Sequence, residues 1–194
     1  MTTHSARQVR RVRLGRSGLE VSRIAFGTWQ LGGDWGATDE DAAIAAIRHA
    51  HERGINFFDT AQGYGFGASE QLLAKAIEQY PRDSVVVATK CGLRSRGGSQ
   101  VERDASPDSI RSGVEDSLRA LNTDHIDLIQ VHWPDPKTPF AETAGALAEL
   151  IAAGKVRHVG VSNFDAQQLE EFSRTLQVET LQPPYHLCHR DIES

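Results

Sequence analysis

Short continuous apolar runs alternate along the chain with longer stretches whose apolar residues recur three or four positions apart. The runs at 24–28, 55–58, 84–89, 126–131, 156–161 and 178–181 predict strands. They are mostly apolar throughout, as expected of strands covered on both faces. The stretches between them predict helices. Ile44 and Ile47 carry the first, with Thr38 and Asp41 spaced as a capping box and Gly54 as its stop. Leu72, Leu73, Ala76 and Ile77 carry the second, which Pro81 ends. Ser106-Pro107 opens the third as cap and first-turn proline, and Ile110, Val114, Leu118 and Leu121 give it the clearest stripe in the chain. Leu147, Leu150 and Ile151 mark the fourth, closed by Gly154. Asp165 caps the fifth, with Leu169, Phe172 and Leu176. Ahead of all these, residues 12–21 predict a hairpin turning at Arg16-Ser17-Gly18. Residues 94–104 predict an exposed polar loop, and 189–194 predict the opening of a sixth helix.

This alternation is the rhythm of βα units. The dinucleotide fingerprint G-x-G-x-x-G of a doubly wound sheet is absent, because Gly63-Tyr64-Gly65-Phe66-Gly67 lacks its spacing, and there is no phosphate-loop motif. Nearly every predicted strand ends in a reactive polar residue: Asp59, Lys90, His132, Ser162-Asn163 and Gln182. In a parallel sheet those ends share one face, which favours a barrel with its site at the strand C-termini. Six units are counted where a barrel has eight. The expected fold is therefore an α/β (β/α)8 TIM barrel, truncated after its sixth strand and preceded by a β-hairpin. Residues 1–11 are expected to be a flexible basic tail and 12–194 the barrel domain.

Composition narrows the class of function. At 194 residues, 24% charged and net charge −5, the chain has the size and balance of one globular domain. The acidic balance argues against nucleic-acid and anionic-membrane partners. The basic start lacks a following apolar core, so it is no signal peptide, and no run reaches membrane length. Cys91 and Cys188 form no paired motif, consistent with a reducing cytoplasm.

Asp59, Tyr64, Lys90 and His132 are the candidate catalytic set. A tyrosine keeps its proton at neutral pH, and a nearby ammonium such as Lys90 is expected to lower its pKa. Asp59 would hold Lys90 by an ion pair, and His132 would hydrogen-bond a carbonyl oxygen. The set suits proton donation to that oxygen while a hydride attacks the carbon. Each member also has a plainer use: an ordinary ion pair for Asp59 and Lys90, a satisfied strand-end imidazole for His132, packing for Tyr64. Trp29 and Trp133 are candidate walls of a substrate pocket, with Trp35 in a loop a third. Arg94, Arg96 and Arg103 read as a solvated loop against a phosphate or substrate contact. Cys91 beside Lys90 reads as an inert buried thiol against a reactive one. His186, Cys188 and His189 match no metal spacing and read as packing or capping.

The stretch Phe57-Phe58-Asp59-Thr60-Ala61-Gln62-Gly63-Tyr64-Gly65 resembles the Asp-Thr-Ala-x-x-Tyr-Gly signature of the aldo-keto reductase family. Gly27-Thr28-Trp29, Thr89-Lys90, Gln130-Val131-His132-Trp133, Gly160-Val161-Ser162-Asn163-Phe164 and Leu181-Gln182-Pro183-Pro184-Tyr185 follow in the family's order. The resemblance runs from about Leu14 to the last residue. It implies NAD(P)H-dependent reduction of aldehydes or ketones, or the reverse oxidation, without metal. Tyr64 would be the general acid, Asp59 and Lys90 its tuning pair, and His132 the group orienting the carbonyl. Ser162, Asn163 and Gln182 would hold the nicotinamide carboxamide, with Gly27, Thr28, Trp29 and Asp59 at the edge of the cofactor site. NADPH is the family default, with NADH as the other choice, and the partner is a small carbonyl compound. Open sheet edges imply self-association, and weak nucleotide binding by this length of chain is expected. The alternative is a nucleotide-sensing regulatory subunit on the same scaffold, or an inactive fragment.

Overall fold

In the computed structural model, residues 9–33, 36–97 and 100–193 are described. Trp35 and residues 1–8 of the expected tail lie outside them. Strand β1 (Arg11–Arg13) pairs antiparallel with β2 (Glu20–Ser22), so ordered pairing begins at Arg11, inside the segment expected to be tail. Gly15 and Gly18 carry the turn at φ +51° and +77°, a region that glycine enters without steric cost.

The six other expected strands form one parallel sheet. Its order is β3 (Phe26–Gly27), β4 (Phe57–Asp59), β5 (Val86–Cys91), β8 (Ile126–Val131), β9 (Val156–Ser162) and β10 (Thr180–Gln182). Every residue of β5 and β8 is buried, which explains their unbroken apolar runs. Five helices follow the strands: α1 (Glu40–Glu52), α2 (Ala68–Ile77), α3 (Pro107–Leu121), α4 (Phe140–Ala152) and α5 (Ala166–Ser173). Their apolar stripes, among them Ile47, Leu73, Ile110 and Leu147, pack with the sheet's Phe58, Ile126 and Ile129 into one core.

The sheet is curled. Laid flat, β10 and β4 would stand four strand spacings apart, about 19 Å. Instead, the Gln182 side-chain amide at the end of β10 donates to Asp59 Oδ2 at the end of β4 across 3.4 Å. The chain thus forms an α/β half-barrel of six parallel strands with the curvature of a TIM barrel, and no pairing joins β3 to β10 among the described residues. The hairpin lies across the opposite, N-terminal end. The Asn56 side chain ahead of β4 accepts from Ser22 N at 2.7 Å and donates to Glu20 O at 3.0 Å. Arg16 N donates to Glu179 O, ahead of β10, at 3.0 Å. A Cβ on Gly15 would fall 2.2 Å from that same oxygen, so the hairpin seats closely there.

Three local expectations need correction. The cap of α1 is Asp39, whose carboxylate accepts from Ala42 N; an aspartate in extended backbone reaches this free N–H of the first turn, which the preceding threonine does not. The described residues of the stretch 94–104 are not a loop throughout, because β6 (Leu93–Ser95) and β7 (Val101–Arg103) pair antiparallel, though most of them are exposed as expected. Arg94–Asp104 at 3.1 Å and Arg96–Glu102 at 2.5 Å brace that hairpin, a cross-strand effect that composition does not reveal. Of the residues expected to open a sixth helix, Asp191–Glu193 form a short 3-10 turn braced by Arg190 on Glu193, with no α-helix there among the described residues.

Candidate active site

Sheet direction brings the strand ends together. Asp59 ends β4, Lys90 lies near the end of β5, and His132 follows β8, its N–H donating to Cys91 O at 2.9 Å. Ser162 ends β9 and Gln182 ends β10. Tyr64 arrives on the loop between β4 and α2. That loop sits against the 3-10 turn Trp29–Gly32 so closely that a Cβ on Gly65 would meet Gly32 O at 2.2 Å. Gly65 stands at φ +67°, so both backbone angle and space call for glycine.

The Lys90 ammonium is 2% exposed and fully engaged. It donates to Asp59 Oδ1 and Oδ2 at 2.8 and 3.0 Å, to Thr60 O at 3.0 Å and to Tyr64 Oη at 3.4 Å. A buried cation needs this many acceptors to offset its lost hydration. The Tyr64 ring stacks on Trp29, with centroids 6.1 Å apart, and meets His132 edge-on at 5.8 Å. Asn163 stands at φ +62°, a conformation that asparagine tolerates. Its amide nitrogen donates to His132 O at 2.9 Å and Ser162 Oγ at 3.0 Å. Ser162 Oγ donates to Gln182 O at 2.9 Å, and Gln130 Nε2 to Gln182 Oε1 at 2.9 Å.

Electrostatics at the site correct one expectation. The Tyr64 phenol lies above its ordinary pKa of 10.0, not below it. Burial opposes the phenolate most, the Asp59 carboxylate adds to this, and the already-paired Lys90 does not reverse it. Lys90 itself is lowered by burial, with Asp59 opposing. Burial, helped by the Lys90 charge, lowers His132 to about 3, so its imidazole is neutral. His132 Nδ1 is buried without a hydrogen-bond partner. An unpaired lone pair is tolerated better than an unpaired N–H, so the proton belongs on Nε2.

Tyr64, Lys90, His132, Ser162, Asn163 and Gln182 line a cleft of about 370 Å³, with Asp59 held behind Lys90. Trp29 and Trp133 both wall it, as do Leu93 and Val101 of the β6–β7 hairpin. Arg103 lies over the Trp133 ring at 4.6 Å and donates to Pro134 O at 3.4 Å. The three arginines of that hairpin are therefore engaged within the protein. Gly27 has open space where a Cβ would stand. Thr28 is different: it is fully buried, and its hydroxyl donates to Asp59 O and accepts from Ser69 Oγ, which commits it to the fold. Burial pushes the Cys91 thiol up to about 12, leaving it inert. His186 and His189 exchange backbone bonds in a tight turn, with Cys188 N donating to His186 Nδ1.

Sequence reasoning passed over Gln130 and the hairpin residues Leu93 and Val101. Gln130 precedes His132 by two, the spacing that puts residues on one strand face, so the periodicity of β8 held a usable signal. Leu93 and Val101 gave none, since their hairpin was not foreseen. The rim formed by Ser162, Asn163 and Gln182 offers a hydroxyl, a side-chain carbonyl and an amide. That mixture of donors and acceptors fits a carboxamide.

The sequence profile of the Aldo/keto reductase family matches residues 23–194. An aldo-keto reductase of Bacillus subtilis, YhdN, is 49% identical over 179 residues, covering 91% of this chain and 54% of the relative. The NADH-specific methylglyoxal reductase of Escherichia coli is 37% identical, covering 96% and 62%. The structure of a glycerol dehydrogenase from Gluconobacter oxydans superposes with a TM-score of 0.85 at 41% identity, covering 97% of this chain and 58% of that one. The chain thus spans little more than half the length of these relatives. It belongs to the aldo/keto reductase family.

Proposed function

We propose that this member of the aldo/keto reductase family reduces aldehydes or ketones to alcohols, or runs the reverse oxidation, with NADPH or NADH as cofactor. The meeting of Tyr64, Lys90, Asp59 and His132 at one cleft supports this most directly. The methylglyoxal and glycerol activities in the names of two relatives agree with a small carbonyl or alcohol substrate. Ser162, Asn163 and Gln182 would hold the nicotinamide carboxamide, and Gly27 with Trp29 would edge the cofactor site. When bound, the reduced nicotinamide supplies the hydride that the carbonyl carbon accepts.

The chain's own residues then have defined tasks. Tyr64 carries a proton throughout the physiological range and donates it from Oη to the carbonyl oxygen as charge gathers there. Lys90 lies 3.4 Å from that hydroxyl and stabilises the phenolate left behind. Asp59 fixes the ammonium. His132, neutral and protonated on Nε2, donates a hydrogen bond that orients the carbonyl. Trp29 and Trp133 exclude water from the cleft and bracket the substrate.

The test is turnover of 4-nitrobenzaldehyde with NADPH by the protein extended to its relatives' length. Wild type should oxidise NADPH, and Tyr64→Phe should lower kcat by at least about 10²-fold, the worth of a positioned acid. Undiminished activity in that variant would remove Tyr64 from the reaction.

A further inference from the structure

Behind the cleft, on the outer side of the sheet, the first turn of α2 presents two buried polar side chains. Ser69 is fully buried and Glu70 is 1% exposed. Ser69 Oγ lies 2.9 Å from Thr28 O, 2.7 Å from Thr28 Oγ1 and 3.2 Å from Thr60 Oγ1. It thus ties the loop after β3 to the loop after β4. Thr89 Oγ1 on β5 donates to Glu70 Oε1 at 2.6 Å. Thr60 and Thr89 are the residues whose backbone governs the ammonium: Thr60 O accepts from Lys90 Nζ, and Thr89 immediately precedes Lys90. Side chains alternate across a strand, so Thr89 faces α2 while Lys90 faces the cleft. A carboxyl so deeply buried, facing only the Thr89 hydroxyl at 2.6 Å and the buried Ser117 hydroxyl, costs stability, and an apolar residue would serve packing better. Burial also raises the Glu70 pKa.

We propose that Ser69 and Glu70 are positioning residues that clamp Thr60 and Thr89 from outside the sheet, and so hold the Lys90 ammonium against Tyr64 and Asp59. This rests on the carbonyl-reductase reading of the cleft. The clamp acts through strand placement: with it, β4 and β5 cannot part, and Lys90 keeps its acceptors on Asp59, Thr60 and Tyr64. Without it, the strand ends open locally and the ammonium gains access to water.

Reductive methylation of native protein, read by peptide mass spectrometry, tests the clamp without turnover. Lys90 labelling is scaled to the exposed Lys75 of α2. Glu70→Ala and Thr89→Val should each raise Lys90 labelling at least about fivefold through local opening. Glu70→Gln retains an acceptor for Thr89 and should stay within about twofold of wild type. Where turnover is measurable, Glu70→Ala should lower kcat by about 10- to 100-fold with KM little changed, because misplacement acts on the proton-transfer step. Unchanged Lys90 labelling in folded Glu70→Ala, or in Thr89→Val should Glu70→Ala not fold, overturns the proposal. So does a Glu70→Gln variant that labels like the alanine. Absent turnover in the wild-type protein extended to its relatives' length would instead count against the reductase reading, while the labelling still decides the clamp.

Discussion

Replacing Lys90 by methionine isolates what the buried cation does for the fold. Methionine keeps the length and apolar stem of lysine but leaves the Asp59 carboxylate, 18% exposed, without its partner at 2.8 Å. Stranding one member of a buried ion pair costs about 3–5 kcal/mol, and the partial exposure of Asp59 places this case near 3. Thr60 O also loses a donor, worth about 1 kcal/mol. A loss of about 4 kcal/mol is a large share of the 5–15 kcal/mol expected of a domain. In urea, with a slope near 2 kcal/mol/M, the unfolding midpoint should fall by about 2 M. Tryptophan fluorescence would follow it. The double variant Asp59→Asn with Lys90→Met should be more stable than Lys90→Met alone, because the larger cost is the lone charge and not the missing bond. A midpoint shift below about 0.5 M, or additive losses in the double variant, would refute the account of Lys90 as a buried ion held by Asp59.

Three further outcomes follow from other parts of the site. The His132 pKa is about 3 in the fold against 6.5 when free, so its neutral form stabilises the protein above pH 6.5, and that contribution is lost as pH falls toward 3. The stability of wild type relative to His132→Gln should therefore drop by up to about 5 kcal/mol over this range, read by urea midpoints at successive pH values. A pH-independent difference would mean the imidazole is solvated. Gly65→Ala forces a Cβ to 2.2 Å from Gly32 O at a positive φ, so it should cost at least about 2 kcal/mol and loosen the Tyr64 loop. A thermal midpoint equal to wild type would contradict that contact. Native protein should react with a disulfide reagent at pH 8 at the exposed Cys188 and not at the buried Cys91, whose thiol lies at about 12. Two reacting thiols before denaturation would show Cys91 accessible.

Much of the fold could be read along the chain. Apolar runs and 3.6-residue stripes are local consequences of which faces are covered, so each major strand and helix announced itself. Chain direction alone then placed Asp59, Lys90, His132, Ser162 and Gln182 on one face. Caps such as Ser106-Pro107 and Asp165 are equally local, since their partners lie within a turn. What remained hidden depended on residues far apart in sequence. The β6–β7 hairpin is braced by charge pairs between its arms, and the curl of the sheet shows only where Gln182 comes within reach of Asp59. Thr28, a match to the family's cofactor edge, has its hydroxyl held inward by Ser69. Tyr64 shows the division most clearly. A neighbouring ammonium suggested an eased proton, yet burial and Asp59 hold that proton more tightly. Periodicity records which face a residue takes. The free energy of a charge depends on how much water and how many opposing charges the whole fold leaves around it, and only the assembled structure sets that.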